Sequence, residues 1–420
     1  MIGINGAEKL DSRETYTKEI ISEIRKIITE TQLKTTDEEI LMLIEDYILS
    51  DQRMIMMNYK VKKYIIDSVF NATRMELDIL QPLAEDNQVN EIMVNGIDHI
   101  FVEKNGKLEK SDIRFESREQ LEEIIRRIAG KVHREINELN PIVDARLEDG
   151  SRINAIYKNI AINGPILTIR KFPQNQINMD DLVKNNSISS EAADFLKILV
   201  MGGYNIFISG GTSSGKTTFL NVLSNYIPKD ERVIVIEDSA ELQITAIENI
   251  VRMETKNANV QGKGEITVRQ LIKTSLRMRP DRIIVGEVRG GEVLDMIQAM
   301  NTGHDGSLST GHANSPAGML SRLETMFLTA ADFPIEAIRS QIASAIDIIV
   351  HLGKLSDKSR RVLEITEVEG YDSGQIILNP LFKYQIKMED ENIWRNGTLT
   401  STGNRLKNTL KLEMKGLKIT

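Results

Sequence analysis

Eight consecutive residues near the middle of the chain have the types and spacing of a phosphate-binding loop. They are Gly210, Gly211, Thr212, Ser213, Ser214, Gly215, Lys216 and Thr217. In the pattern G-x-x-x-x-G-K-[S/T], glycines let backbone N–H groups turn inward toward phosphate oxygens. The lysine can reach the β and γ phosphates of a nucleotide, and the last hydroxyl can ligate Mg²⁺.

The segments on either side of this loop must position it. Residues 205–209 form a short apolar run that predicts a buried strand, and residues 218–224 predict an amphipathic helix. The N-terminus of such a helix adds a partial positive charge where phosphate binds, so Thr218 is included in the predicted site. The order of strand, loop and helix predicts that the chain binds ATP or GTP.

Carboxylates follow a second apolar run at residues 233–236. Glu237 and Asp238 come directly after it, and the carboxyl ends of strands are where ligands bind in open α/β sheets. These two residues are predicted to bind Mg²⁺ through water or to position the attacking water. An exposed acidic turn is the alternative interpretation.

A third apolar run, at residues 282–285, resembles a Walker B strand with one departure. Gly286 occupies the position where a metal-associated Asp is usual, and Glu287 follows it. Glu287 is therefore predicted to act as the general base or to position water for attack on the γ phosphate. The alternative is an ordinary surface glutamate at a strand end.

Two of the five histidines, His304 and His312, lie within nine residues of each other in a segment predicted to contain another strand. A phosphate sensor that hydrogen-bonds the γ phosphate or a catalytic carboxylate is the favoured interpretation, and a structural histidine is the alternative, above all for His304. Zinc is disfavoured because too few ligands are visible.

Arginines near these segments are candidates for stabilising charge on the transferred phosphoryl group. Surface ion pairs are the alternative interpretation for each of them. They are Arg277, Arg279 and Arg289 around the third apolar run, and Arg146, Arg152 and Arg170 in the preceding part of the chain.

The composition limits the classes of function. A formal charge of −8 disfavours a dedicated nucleic-acid binder, so no nucleic-acid partner is expected. The absence of cysteine excludes disulfides and thiolate metal sites and favours a cytoplasmic location. No apolar run approaches the roughly 18 residues that a membrane span requires, so any membrane role is expected to be peripheral and to depend on partners.

Four segments are predicted along the 420 residues. Residues 1–75 carry isoleucines at helical spacing and form a helical N-terminal extension. Residues 76–178 read as a small α+β domain. Residues 179–390 alternate strands with helices, as in an α/β domain with a mostly parallel sheet, and 391–420 form a C-terminal tail. Within this plan, residues 174–187 read as an irregular linker.

The order of these motifs resembles the secretion ATPase superfamily of type II and type IV secretion and pilus assembly, and within it the Tad/Flp pilus assembly ATPases of the CpaF family. The resemblance covers residues 83 to 382. It includes Asp144-Ala145-Arg146, Asp149-Gly150-Ser151-Arg152, Ile169-Arg170, Ile236-Glu237-Asp238, Gly286-Glu287-Val288-Arg289 and Gly311-His312-Ala313.

The resemblance implies a RecA-like P-loop NTPase domain preceded by a smaller α+β N-terminal domain that contributes Arg152 and Arg170 to the nucleotide site. It implies ATP and Mg²⁺ as ligands and a homo-hexameric ring. Domain motion driven by hydrolysis would act on an inner-membrane platform protein at the inner face of the cytoplasmic membrane. Glu287, Lys216, Glu237, His312 and Arg289 would be the catalytic residues in such a site.

Two other classes of function remain open from the sequence. RecA-like rings also include nucleic-acid motors, although a content of 5% aromatic residues provides few stacking platforms. A nucleotide-gated assembly protein without turnover is the third class, and it would bind ATP tightly with negligible hydrolysis.

Overall fold

The apolar runs around the phosphate loop form neighbouring strands in the computed structural model of the chain. The structure describes residues 17, 19–21, 23–24, 26–27, 36–54, 57–74, 77–104, 107–115, 117–132, 134–147, 149–172, 177–256, 258, 263–386 and 397–419. The chain divides into two units, Met1–Gln174 and Asn175–Thr420.

The helices and strands of the described residues are numbered in chain order. The helices are α1 (Asp37–Ser50), α2 (Tyr59–Arg74), α3 (Gln81–Glu85), α4 (Arg118–Lys131), α5 (Met179–Lys184), α6 (Ser190–Gly202), α7 (Lys216–Ser224), α8 (Val268–Ser275), α9 (Val293–Asn301), α10 (Pro316–Ala330), α11 (Ile335–Ala345) and α12 (Leu410–Met414). The strands are β1 (Val89–Asn95), β2 (Ile100–Lys104), β3 (Lys107–Lys110), β4 (Ile142–Arg146), β5 (Arg152–Ile156), β6 (Ile166–Arg170), β7 (Ile206–Gly210), β8 (Val233–Glu237), β9 (Ile250–Glu254), β10 (Arg282–Val285), β11 (Leu308–His312), β12 (Ile348–Lys354), β13 (Arg360–Asp372), β14 (Gln375–Ile386) and β15 (Gly397–Ser401).

The first unit begins with a helical part that has its own small core. Thr36 caps α1, since its hydroxyl accepts from the backbone N–H of Glu39 while the Glu39 side chain accepts from the N–H of Thr36. Ile40, Ile44 and Ile48 follow at intervals of four and are fully buried. The described residues between 17 and 27 are also helical, as the isoleucine spacing predicts.

The rest of the first unit is an antiparallel sheet in the order β3-β2-β1-β6-β5-β4. Alternate residues of β1, such as Ile92 and Val94, are buried, as expected for a sheet that covers a core on one face. Ile124 and Ile128 of α4 belong to the same core. The predicted α+β character of this region is therefore confirmed.

The second unit is built on a sheet in the order β15-β14-β13-β12-β7-β11-β10-β8-β9. The strands from β12 to β9 in this order run parallel to one another, and all residues of β7 and β8 are buried. Ile206 and Ile208 belong to one apolar core, whereas Phe207 belongs to a second. Because helices contribute to both cores, the unit has the three layers of an α/β fold.

The structure differs from the sequence-based expectation in two places. Residues 174–187 are predicted as an irregular linker, but α5 lies within them, begun by a capping box between Asn178 and Asp181. The segment predicted as a C-terminal tail supplies edge strand β15 and helix α12. This segment is part of the second unit, because Leu399 and Leu412 are buried in one of the two cores of that unit. Glu367 of β13 also accepts hydrogen bonds from backbone N–H groups of the segment.

None of the helices in the described parts of the chain combines the length and apolarity that a bilayer span requires.

Candidate active site

The phosphate loop connects the carboxyl end of β7 to the first residue of α7. Its backbone needs two residues at positive φ, Ser213 at 58° and Gly215 at 92°. Gly215 occupies the N-cap of α7, where an L side chain is strained. At Gly210 a Cβ would lie 2.5 Å from the backbone oxygen of Leu352, so only glycine permits this close approach of two strands.

Two hydrogen-bond donors of this loop converge on one acceptor. The Nζ of Lys216 donates to the backbone oxygen of Gly211 at 3.0 Å, and the N–H of Ser214 points to the same oxygen at 3.4 Å. Lys216 is buried, and its Nζ is also 3.3 Å from the backbone oxygen of Gly210. A phosphate oxygen is an acceptor that such convergent donors can bind in place of a carbonyl.

His312 connects the loop lysine to the predicted general base. Strand β11 pairs with β7 so that His312 lies opposite Gly210. Its Nδ1 is 3.4 Å from Nζ of Lys216, and its Nε2 is 2.9 Å from Oε1 of Glu287. Because a lysine ammonium only donates, Nδ1 is the acceptor and the proton of the neutral ring lies on Nε2, facing Glu287.

Glu287 is largely buried and lies in a field of positive charge. Burial by itself raises the pKa of its carboxyl, but a hydrogen bond from Arg289 and the charges of Arg289, His312 and Lys216 outweigh burial and lower the pKa. The carboxylate is therefore ionised at neutral pH. Its Oε1 is buried and lies 2.9 Å from Nε2 of His312, and the described residues place no other hydrogen-bond donor on it.

Arg289 fixes the position of this carboxylate. Its NH2 group donates to Oε2 of Glu287 at 2.8 Å, and its NH1 group is 3.7 Å from Oδ2 of Asp238. The hydrogen bond to Glu287 raises the pKa of Arg289. In this structure Arg289 therefore links the carboxylates that follow β8 and β10.

The side chain of Glu237 explains why a glycine, Gly286, stands where a Walker B strand usually has an aspartate. The Oε1 of Glu237 accepts from the backbone N–H groups of Glu241 at 2.9 Å and Leu242 at 3.0 Å, which holds the buried side chain against β10. A Cβ at Gly286 would lie 3.0 Å from Cγ of Glu237. The missing side chain of Gly286 therefore leaves the space that Glu237 occupies.

We expect Gly286→Ala to lower the free energy of unfolding by about 1–3 kcal/mol, because an added methyl group in a packed site forces its neighbours to move. Denaturant unfolding measures this loss. Gly211→Ala is the matched control, since nothing lies within 4 Å of its Cβ position. Equal losses in the two variants would contradict the contact with Glu237.

The free energy of unfolding is expected to fall in acid because of two buried or half-buried histidines, His312 and His351. Burial lowers the pKa of both rings, and the charge of Lys216 adds to this effect at His312. The unfolded chain takes up protons first as the pH falls through about 6.5, so the free energy of unfolding decreases there. We expect a smaller decrease between pH 7 and pH 5 in His312→Asn than in the unchanged chain, by denaturant unfolding at each pH. A decrease of the same size would contradict the buried-histidine explanation, and His99→Asn is the exposed control.

The first unit brings three of the predicted arginines side by side. Arg146 pairs with Arg152 across β4 and β5, and Arg152 pairs with Arg170 across β5 and β6. Glu91 is opposite Arg170 on β1. The three arginines therefore bring positive charge together on one face of this sheet, and the row is a candidate anion-binding surface of the first unit.

The remaining predicted residues lie partly in the phosphate loop and partly away from it. Thr212, Ser213 and Thr218 are exposed on the loop and first turn of α7, and Thr217 is half-buried. Arg277 and Arg279 precede β10 and so lie at the edge of the sheet opposite the phosphate loop. His304 is a structural residue, with Nδ1 3.1 Å from the backbone oxygen of Ala299.

Sequence reasoning missed two contacts of the phosphate loop. Arg360, the first residue of β13, donates through Nε to the backbone oxygen of Ser213 at 3.0 Å. The buried hydroxyl of Ser209, just before the loop, is 2.9 Å from Nδ1 of His351 on β12. An exposed arginine after a turn carries no periodic signal, and neither contact is visible without the strand order.

Comparison with known proteins places this site in a family. The family model for type II/IV secretion system proteins matches residues 73–396. Conjugal transfer protein TrbB of Rhizobium radiobacter is 34% identical over 291 residues, which cover 68% of this chain and 86% of TrbB. A putative conjugal transfer protein of Mycobacterium tuberculosis is 33% identical over 293 residues, covering 68% of this chain and 83% of that protein.

Solved structures share the fold of this chain. The ATPase DotB of Yersinia pseudotuberculosis has a TM-score of 0.51 and 17% identity, covering 70% of this chain and 79% of that one. The pilus retraction motor PilT, solved with bound ADP, has a TM-score of 0.50 and 18% identity, covering 80% and 85%. At these identities the likeness concerns the fold alone. The family model covers more than half of the chain, and with the phosphate loop it leads to the conclusion that the chain belongs to the type II/IV secretion system protein family and is an ATPase of that family.

Proposed function

We propose that this ATPase is the motor of a Tad-type pilus assembly machine or a related secretion machine. The observation that carries the proposal is the chain of contacts from Lys216 through His312 to Glu287 at the carboxyl edge of the sheet. The Tad-type assignment rests on the resemblance of motifs such as the segment from Gly286 to Arg289 to the CpaF family.

In this proposal Lys216 and the loop N–H groups bind the β and γ phosphates, and Glu287 orients the attacking water. The water oxygen bonds to the γ phosphorus, the bond to the bridging oxygen breaks, and Glu287 takes the proton. The negative charge of the triphosphate raises the pKa of Glu287 from its lowered value, which makes the carboxylate a better base once nucleotide is bound. His312 lies between these two residues, with Nδ1 toward Lys216 and the Nε2 proton toward Glu287. In this proposal it therefore couples the position of Lys216 to that of Glu287.

Thr217, Glu237 and Asp238 are the residues that we propose to bind Mg²⁺. Their donor atoms are oxygens, the ligands that Mg²⁺ prefers. Such a small donor set suits an ion that binds through one or two carboxylates together with substrate phosphates. When bound, Mg²⁺ would neutralise charge on the phosphate oxygens.

We further propose that the motor works as a homo-hexamer and acts on an inner-membrane platform protein at the inner face of the cytoplasmic membrane. Arg152 and Arg170, in the arginine row of the first unit, are proposed to bind the phosphate groups of the nucleotide. The pairing of Arg152 with Arg170 across β5 and β6 places two positive charges side by side, which supports an anion-binding role.

ATP hydrolysis measured together with particle mass tests the proposal. We expect hydrolysis that requires Mg²⁺, and a mass near six times the 47.4 kDa of one chain when ATP is present. Tight ATP binding with negligible turnover, even with lipid and platform protein supplied, would indicate a nucleotide-gated assembly protein instead. Strong stimulation by single-stranded DNA with a steep salt dependence would indicate a nucleic-acid motor.

A further inference from the structure

The hairpin of β12 and β13 contacts the phosphate loop at successive points. Ser209 and Gly210 pair with His351 and Leu352 of β12. The chain then turns back and enters β13 at Arg360, whose Nε donates to the backbone oxygen of Ser213 at 3.0 Å. The hairpin therefore follows the loop from its first residues to its middle.

Arg360 also covers the last turn of the loop. A Cβ at Gly215 would lie 3.3 Å from Cδ of Arg360, so the aliphatic part of the arginine side chain lies over this glycine. The two residues that Arg360 contacts, Ser213 and Gly215, are the two loop residues at positive φ. Ser213 is the non-glycine residue of this pair, so its backbone conformation is the strained part of the loop.

The contact with Ser213 fixes the direction of one peptide group. In a trans peptide the C=O of Ser213 and the N–H of Ser214 point in opposite directions. When Arg360 binds the carbonyl oxygen, the N–H is directed to the other side, where it points to the backbone oxygen of Gly211, which also accepts from Nζ of Lys216. Arg360 thus orients a loop N–H toward the position where the lysine ammonium also points.

We propose that Arg360 is a positioning residue of the nucleotide site, which holds the Ser213–Ser214 peptide in the orientation that binds phosphate. This inference rests on the proposed ATP-binding function of the loop. Arg360 contacts no reacting atom, so it acts on nucleotide affinity rather than on the chemical step. Its position on β13 makes the β12–β13 hairpin the element that supports the loop.

Affinity for ATP and the rate of hydrolysis in the full chain test this proposal. In Arg360→Ala we expect the Kd of a fluorescent ATP analogue with Mg²⁺ to rise about tenfold, as the loss of one charge-assisted hydrogen bond predicts. We expect KM to rise similarly, with kcat at saturating ATP within about twofold of the unchanged chain. Arg360→Lys keeps the charge but not the planar donor geometry, and we expect a smaller rise in Kd.

Lys358→Ala is the matched control. Lys358 lies on the turn of the same hairpin, is exposed, and carries the same charge, but none of its described contacts reaches the phosphate loop. An equal rise in Kd for Lys358→Ala would overturn the proposal in favour of a general electrostatic effect. An unchanged Kd in Arg360→Ala would also overturn it, as would a lowered Tm with equal losses of affinity and kcat. If the unchanged chain fails to bind ATP, the proposed function fails instead.

Discussion

Glu287→Gln is expected to lower kcat for ATP hydrolysis by about 10²- to 10⁴-fold, which is the usual contribution of one general base. The amide keeps the shape of the side chain but cannot take a proton from water. The carboxylate of Glu287 is ionised at neutral pH because Arg289, His312 and Lys216 lower its pKa against the effect of burial. Loss of one negative charge near the phosphates should leave ATP affinity unchanged or slightly tighter.

Steady-state hydrolysis and binding of a fluorescent ATP analogue separate these two effects of Glu287→Gln. Glu336→Gln is a matched control, because it removes the same charge from an exposed position in the first turn of α11. We expect the control to hydrolyse ATP at the rate of the unchanged chain. Near-normal kcat in Glu287→Gln would exclude Glu287 as the base and leave Glu237 as the next candidate.

Strands β7, β8 and β10 were predictable because each is a short, largely apolar run that ends at, or is followed by, a glycine or a charged residue. The apolar run at residues 233–236 forms β8, which extends one residue further to Glu237. The largely apolar stretch at residues 346–350 is divided between two elements, since Ile346 caps the end of α11 and β12 begins at Ile348. Propensity and periodicity thus identify the elements, whereas their ends depend on tertiary contacts.

The contacts between the strands of the site were less predictable than the strands themselves. β7 and β11 are adjacent although β8, β9 and β10 lie between them in the chain, and this order sets the contact between Lys216 and His312. Strand order depends on packing across the sheet, which a local pattern does not contain. The charge carried by Arg360 is visible in the sequence, but its partner, a backbone oxygen of the loop, is not.

Helix α5, which lies in the predicted linker, was not predicted for a different reason. The pair Asn178 and Asp181 has the spacing of a capping box and precedes two apolar positions, Leu182 and Val183. This signal was present, but six residues give too little periodicity to distinguish a helix from a polar connection. In contrast, β15 and α12 have no strong local signal, and buried contacts of Leu399 and Leu412 determine their place.

Lys216→Ala is expected to weaken ATP binding about 100-fold. The lysine ammonium is a buried donor that points, with the N–H of Ser214, to the oxygen of Gly211. A charge-assisted hydrogen bond to phosphate contributes about 1.5–3 kcal/mol, and two such bonds to the β and γ phosphates, each at the lower end of this range, account for the expected loss. Burial lowers the pKa of Lys216, and the phosphates of a bound nucleotide would favour its charged form.

Binding of a fluorescent ATP analogue and ATP hydrolysis measure the effect of Lys216→Ala. Lys229→Ala removes the same charge from the exposed segment after α7 and should leave both quantities unchanged. Lys216→Ala also removes the donor opposite Nδ1 of His312, so the residual hydrolysis in this variant should no longer respond to replacement of His312 by Asn. ATP affinity equal to that of the unchanged chain would remove the phosphate loop, and with it the proposed motor, from the interpretation of this site.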